Sequence, residues 1–327
     1  MTVPRLEVPG VEVPLSSLVL GTMTFGDTAD AATAARMLDT ALDAGINAVD
    51  TANGYAGGDT ERILGELLPA RRDRVSLATK AGMPHPDAGE HAPLSPKGLR
   101  AGLDGSLSRL GVERVDLFYL HQPDRATPLA DTLATLADLV AEGKIGAWGV
   151  SNFAAWQIAE LRHVADEVGA PRPVVAQQLY NLLARRVDEE YVEFARVTGL
   201  LTVVYNPLAG GLLTGRHSFE CDPSSGRFAD SRLAGMYRER YWDERLFDAI
   251  ARLASIADDA GIPLVDLALR WVLSKPVTSA LLLGGSKVEQ LEANIAALGA
   301  GALPADVVDA CDEVGAFLRG PMPAYNR

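Results

Sequence analysis

Asp50, Tyr55, Lys80 and His121 are four side chains whose types suit one task, the protonation of a carbonyl oxygen as it becomes negative. A free tyrosine has a pKa of about 10, so it gives up a proton reluctantly near neutrality, and a neighbouring cation lowers that value. Lys80 can supply the cation. A carboxylate beside it, Asp50, keeps a lysine charged once it is withdrawn from bulk water. A neutral imidazole at His121 can donate a hydrogen bond to the same oxygen. This set contains no nucleophile, so the carbonyl carbon must receive something delivered to it, and a hydride from a nicotinamide fits.

Taken singly, each residue has an ordinary role open to it: a turn-capping Asp, a packing Tyr, a solvated Lys, a loop His. Their placement argues otherwise. Short apolar runs rich in β-branched residues read as buried strands, and here they span 46–50, 75–80, 115–121, 145–152, 174–178, 201–205 and 280–286. They end at Asp50, Lys80, His121, Asn152, Gln178, Tyr205 and Ser286. A strand buried on both faces tolerates a charge only at its end. In a closed parallel barrel all C-terminal strand ends share one face, so these residues converge there.

Helical periods separate the runs: Leu99, Leu103, Leu107 and Leu110 after Ser95-Pro96; Leu129, Leu133, Leu136 and Val140 after Thr127-Pro128; Val288, Leu291, Ile295 and Leu298 behind the last strand. Ser or Thr before Pro reads as an N-cap with proline in the first turn. Strand and helix alternate throughout, the pattern of an α/β fold. A doubly wound dinucleotide fold wants GxGxxG after its first strand, and 18–26 offers only Gly21 and Gly26 at the wrong spacing. The expectation is a single-domain (β/α)8 TIM barrel over residues 1–327. An N-terminal β-hairpin around Pro9-Gly10 should plug its bottom, and extra helices should follow at its C-terminus. Two connections, 82–93 and 207–242, exceed the usual loop length and are expected over the C-terminal face.

The charge balance of 30 Lys and Arg against 43 Asp and Glu, a net −13, disfavours nucleic acid and anionic membrane surfaces as partners. A small anionic cofactor can still bind through local groups. Met1–Pro14 lacks a basic segment followed by an apolar core, and no stretch of about 20 apolar residues occurs, so neither a signal peptide nor a membrane span is expected. Two cysteines, Cys221 and Cys311, make no disulfide framework. The expected setting is cytoplasmic, with monomer and homo-oligomer both compatible.

Gly45-Ile-Asn-Ala-Val-Asp50-Thr-Ala-Asn-Gly-Tyr55, followed by Glu61-Arg-Ile-Leu-Gly65, resembles the signature of the aldo-keto reductase superfamily. Leu120-His-Gln-Pro-Asp124, Gly149-Val-Ser-Asn-Phe153 and Gln178-Leu-Tyr-Asn181 follow in the same order. Within it, Tyr205-Asn-Pro-Leu-Ala-Gly-Gly-Leu-Leu-Thr-Gly215, Gly226-Arg-Phe228, Tyr237-Arg-Glu-Arg-Tyr-Trp242 and the closing Pro323-Ala-Tyr-Asn-Arg327 are similar to the aflatoxin aldehyde reductase (succinic semialdehyde reductase) branch. The resemblance implies NADPH/NADP+ as cofactor, a small-molecule carbonyl substrate, and Tyr55 as general acid with Lys80, Asp50 and His121 around it. It also implies that Ser151, Asn152 and Gln178 bind the carboxamide and that Tyr205 stacks on the nicotinamide. The stretch Asn206, Pro207, Leu208, Ala209, Gly210, Gly211, Leu213 and Arg216 would wrap the pyrophosphate, with Arg227 reaching in from the long loop. Gly284, Gly285, Ser286, Lys287, Gln290 and Asn294 would hold the adenosine end. Lys287, with no acid until Glu289, favours a 2′-phosphate. Tyr237, Arg240 and Arg327 would line the substrate pocket.

No metal site is expected. His85 and His91 lie in Pro/Gly-punctuated sequence without further ligands, and the five histidines include no HxH pair for a barrel metallohydrolase. A keto-sugar reductase of secondary metabolism or a non-catalytic NADP(H)-binding regulatory subunit would share this scaffold.

Overall fold

A computed structural model describes residues 2–321. Two short strands, β1 (Arg5–Leu6) and β2 (Leu15–Ser16), pair antiparallel. The turn between them is wider than a tight hairpin at Pro9-Gly10. It serves as the expected plug: Val8, Val11 and Leu15 are buried against Val19, Ala48, Ala78, Leu117 and Val203 inside the barrel.

Eight parallel strands then close on themselves: β3 (Leu18–Gly21), β4 (Ala48–Asp50), β5 (Ser76–Ala81), β6 (Val115–Leu120), β7 (Ile145–Ser151), β8 (Val175–Leu179), β9 (Leu201–Tyr205) and β10 (Ala280–Leu283), with β10 pairing back onto β3. Helices α1 (Ala31–Asp43), α2 (Asp59–Leu67), α3 (Pro96–Leu110), α4 (Leu129–Ala141), α5 (Ala155–Val168) and α6 (Tyr191–Thr198) follow the strands in turn. The long β9–β10 connection carries α7 (Ala234–Tyr241), α8 (Glu244–Asp259) and α9 (Leu264–Ser274), and α10 (Val288–Gly299) and α11 (Ala305–Arg319) complete the chain. Among the described residues one helix, α11, follows the barrel proper, and it packs on α8 and α9.

Local sequence accounts for these elements. Ser95 caps α3 by accepting from Gly98 N–H, Pro96 occupies its first turn, and Leu99, Leu103, Leu107 and Leu110 are buried. Each fully buried leucine contributes about 1.5–3 kcal/mol of transfer free energy. Helix α4 differs from expectation, because Thr127 gives its hydroxyl to Asp124 and Pro128 holds the N-cap position without a side-chain bond. Trp148 and Trp271 are core residues, as their apolar surroundings suggest. No helix among the described residues is long and apolar enough to cross a membrane.

The two long connections behave differently. Residues 226–233 run from the β9 side past β10 to the loop after β3, where the Asp27 carboxylate accepts from the Ser231 hydroxyl (2.7 Å) and the Arg232 N–H (3.1 Å). The central turn of 82–93 packs instead against α3. Asp87 receives both terminal nitrogens of Arg109 (3.1 and 2.8 Å) over Gly105, where a Cβ would lie 2.3 Å from the carboxylate. Arg109 continues to the buried Glu61 (2.8 Å), which accepts from Thr79 (2.6 Å) beside Lys80.

Candidate active site

Asp50 ends β4, Lys80 lies one residue from the end of β5, and His121 follows β6. Barrel closure therefore brings the three together although they are far apart in sequence. Tyr55 arrives from the β4–α2 loop in a tight turn whose Ala56 takes a left-handed φ of 47°. Lys80 is wholly buried and uses three N–H bonds, to the Asp50 carboxylate, the Thr51 carbonyl (2.9 Å) and the Tyr55 hydroxyl (3.2 Å). A buried ammonium is stable only when its donors are satisfied and a carboxylate neutralises it. Burial lowers the lysine's proton affinity, but Asp50 and then Tyr55 more than reverse that, so its pKa is raised.

The Tyr55 phenol departs from expectation. Burial pushes its pKa up, Lys80 opposes that push, Asp50 adds to it, and the net direction is above the ordinary 10. The cation is present and acts in the expected sense, but the desolvation of a phenolate outweighs it. His121 is buried, its ring meets Tyr55 edge-on with centroids 5.9 Å apart, and burial together with Lys80 holds its pKa down at about 3. The imidazole is thus neutral at any working pH. Its Nδ1 is buried with no partner among the described residues.

Ser151 ends β7 and Asn152 follows it. Asn152, at φ 63°, donates to the His121 carbonyl (3.0 Å) and to the Ser151 hydroxyl (3.1 Å) and accepts from the Tyr205 phenol (2.6 Å). The Gln178 expectation needs correcting on strand parity. Gln177 pairs in register with the inward-facing Val203, and its side chain crosses the barrel to donate to Asp50 (2.9 Å). Gln178 turns outward and donates to the Phe153 carbonyl (2.8 Å). Alternate strand residues face opposite sides, so only one of adjacent glutamines can enter the site.

After β9 the chain makes a sequence of left-handed residues: Asn206 (φ 60°), Ala209 (φ 50°), Gly210 (φ 71°) and Gly211 (φ 108°). Asn206 organises it by accepting from Gly210 N–H (2.7 Å) and donating to Tyr241 (2.8 Å). Gly210 is required there, since a Cβ would meet the Tyr237 ring at 2.6 Å. Pro207, Ala209 and Leu213 are buried, and Leu213 gives its N–H to the Leu208 carbonyl (3.3 Å). Leu213 therefore supports the loop from behind and does not line it.

At the start of α10, Gln290 accepts from Ser286 N–H (2.9 Å), and Asn294 reaches the Gly284 carbonyl (3.5 Å). Thr24 holds the Gly285 carbonyl from the neighbouring rim (2.7 Å). Lys287 is exposed at the N-cap position. Tyr237 is buried, receives a bond from Arg227 (3.0 Å), and lies beneath Arg240, whose guanidinium carbon is 5.9 Å from the ring centre. Burial pushes the Tyr205 pKa up to about 12, with the Arg240 charge opposing it, and Arg240 forms no pair with Glu239 or Glu244. Arg327 lies outside the described residues.

Arg216, Arg227, Arg240 and Lys287, from the β9–β10 connection and the start of α10, have no carboxylate within ion-pairing distance among the described residues, and the same holds for cations elsewhere such as Arg36, Arg125, Arg196 and Arg252. The four at this end of the barrel leave positive charge available to an anion in a chain of net charge −13. Tyr205 and Gln177, the left-handed loop with Arg216, and Lys287 are the groups that could hold a nicotinamide dinucleotide. No group of three or more potential metal ligands occurs among the described residues.

The profile of the aldo/keto reductase family matches residues 17–316. The chain is 38% identical to Aflatoxin B1 aldehyde reductase member 2 of Rattus norvegicus over 94% of its own length and 87% of the relative's. It is 40% identical to Aldo-keto reductase family 7 member A3 of Homo sapiens, over 94% of the chain and 96% of that protein. A probable voltage-gated potassium channel subunit beta of Oryza sativa is similar at 34%, over 84% and 85%.

Proposed function

The chain belongs to the aldo/keto reductase family and is an oxidoreductase, and from that premise we propose that it reduces small aldehydes or ketones with NADPH, Tyr55 acting as general acid. The observation that carries this reading is the Lys80 ammonium held against the Tyr55 hydroxyl by Asp50 and Thr51, with a neutral His121 beside them.

A bound reduced nicotinamide supplies the hydride. The protein's own part is the proton and its placement. A carbonyl oxygen seated between Tyr55 and His121 accepts hydrogen bonds from both, and these strengthen as negative charge develops on it. The phenol then transfers its proton to that oxygen. Lys80 stabilises the phenolate left behind, and Asp50 keeps the ammonium charged and fixed through the event. Gln177, in place of Gln178, joins Ser151 and Asn152 at the carboxamide. Arg240 and Tyr237 favour substrates with a carboxylate or polar oxygen at the end remote from the carbonyl.

Mixing the purified protein with NADPH and succinic semialdehyde tests the reading directly. Loss of NADPH absorbance in step with alcohol formation is the expected result. Tight NADPH binding with no turnover on any short aldehyde would point instead to a cofactor-binding subunit.

A further inference from the structure

Arg216 is an exposed cation in an unusual setting. One of its terminal nitrogens lies between Gly211 and Gly226, both at positive φ, and a Cβ at Gly226 would come within 2.6 Å of it. No carboxylate pairs with it among the described residues. The N–H groups of Ala209, Gly210, Gly211 and Leu213 are already bonded within the loop, so those four are closed to an anion arriving there. What Arg216 does have is His217, to whose Nε2 its Nε–H donates at 3.2 Å.

We infer that His217 is a positioning residue, which orients the Arg216 guanidinium between Gly211 and Gly226 so that its free fork faces the phosphate groups of a dinucleotide. The inference deepens the cofactor reading above and rests on it. An arginine's terminal nitrogens bind phosphate well only when the fork is aimed, and a long exposed side chain loses rotamer freedom when it is. An acceptor on Nε removes much of that freedom while leaving both terminal nitrogens available. His217 can act so because its own ring is fixed. It lies edge-on to Phe228 (centroids 5.4 Å, 67°) and to Trp242 (6.0 Å, 72°), and Phe228 is fully buried. Only a neutral imidazole can accept, and burial followed by the Arg216 charge lowers the pKa of His217. Arg238, 5.8 Å from the Trp242 ring, is paired with Asp222, and Arg227 and Arg240 meet the cluster only through Tyr237, which packs on Phe228. The aromatic frame, the imidazole and the guanidinium thus form a relay from the folded loop to the cofactor.

Dissociation constants for NADPH and for inorganic pyrophosphate, measured by tryptophan fluorescence and calorimetry on the full chain, test this without reference to turnover. His217→Phe keeps an aromatic ring in the cluster and removes the acceptor, so NADPH should bind about three- to tenfold more weakly, the worth of one orienting hydrogen bond. His217→Gln restores an acceptor and should recover most of the loss, which a role in packing alone would not allow. In an Arg216→Ala background, His217→Phe should have no further effect. Undiminished NADPH affinity in His217→Phe, or an equal loss with and without Arg216, overturns the inference. If His217→Phe fails to fold, Arg216→Ala, a change on an exposed side chain, decides: unchanged binding of both probes refutes it. Wild-type protein that binds neither probe would remove the cofactor reading itself, whereas normal binding indifferent to both residues removes only this one.

Discussion

Lys80 gives its three N–H bonds to three different groups, and that is how Tyr55 can be buried and still be served by a cation. Tyr55→Phe removes one hydroxyl and leaves the ring, so carbonyl reduction should fall by roughly 10²–10⁴-fold with NADPH affinity retained, as expected for a lost general acid. Lys80→Met should be as damaging and also destabilising, by about 3–5 kcal/mol, because the buried Asp50 is left without its partner. Turnover and urea unfolding on both variants check the pair. His121 carries a pH signature. Its folded pKa of about 3 lies below the ordinary 6.5, so the unfolded chain binds the extra proton. Stability from this residue is complete above 6.5 and is lost as pH falls toward 3, with a slope of about 1.4 kcal/mol per unit. His121→Asn should flatten that part of the stability-against-pH curve, and an unchanged curve would show that His121 is not the group responsible. The quartet was legible because a charge at the end of an apolar run costs too much desolvation to sit there for packing alone. The inward glutamine was not: Gln177 and Gln178 are chemically identical, and only strand register decides which of them faces Asp50.

At the scale of elements, strands were legible from β-branched runs and helices from leucine spacing, since both report which faces are buried. Loops were less so, because their course depends on contacts distant in sequence. Length alone places both long connections over the mouth, yet Asp87 finds Arg109 on the flank of α3 while Ser231 and Arg232 find Asp27 across the rim. Neither pairing has a local signal. The Asp87 anchor predicts its own test. Asp87→Ala leaves Arg109 bonded to Glu61 but frees the turn at Pro86–Ala88, so limited proteolysis should cut within 82–93 first. The loss should amount to about 1–3 kcal/mol, in line with an unmade charge-assisted bond. Protection equal to wild type would mean that the turn is held by packing alone.

For the whole molecule, a chain of net charge −13 still leaves Arg216, Arg227, Arg240 and Lys287 without a carboxylate partner among the described residues. Lys287→Ala should weaken NADPH about tenfold and leave NADH nearly unchanged, since a charge-assisted bond to a 2′-phosphate is worth roughly 1.5–3 kcal/mol. Equal losses for both cofactors would place Lys287 elsewhere. Arg240 bears on the substrate. Surface arginines commonly form ion pairs of little worth, and Glu239 and Glu244 were available for one. Arg240 instead lies over Tyr237, and its charge acts on the Tyr205 phenol. A carboxylate arriving there meets an unneutralised guanidinium, and binding energy at that end orients the aldehyde against Tyr55. The kcat/KM for succinic semialdehyde should therefore exceed that for butanal, and Arg240→Ala should remove most of the difference while barely affecting butanal. Raising ionic strength should narrow the same gap, because surface charges are screened beyond about 10 Å at 0.1 M salt. A preference for the carboxylated aldehyde that survives Arg240→Ala would assign it to another cation, and wild-type indifference between the two aldehydes would dismiss the anion pocket.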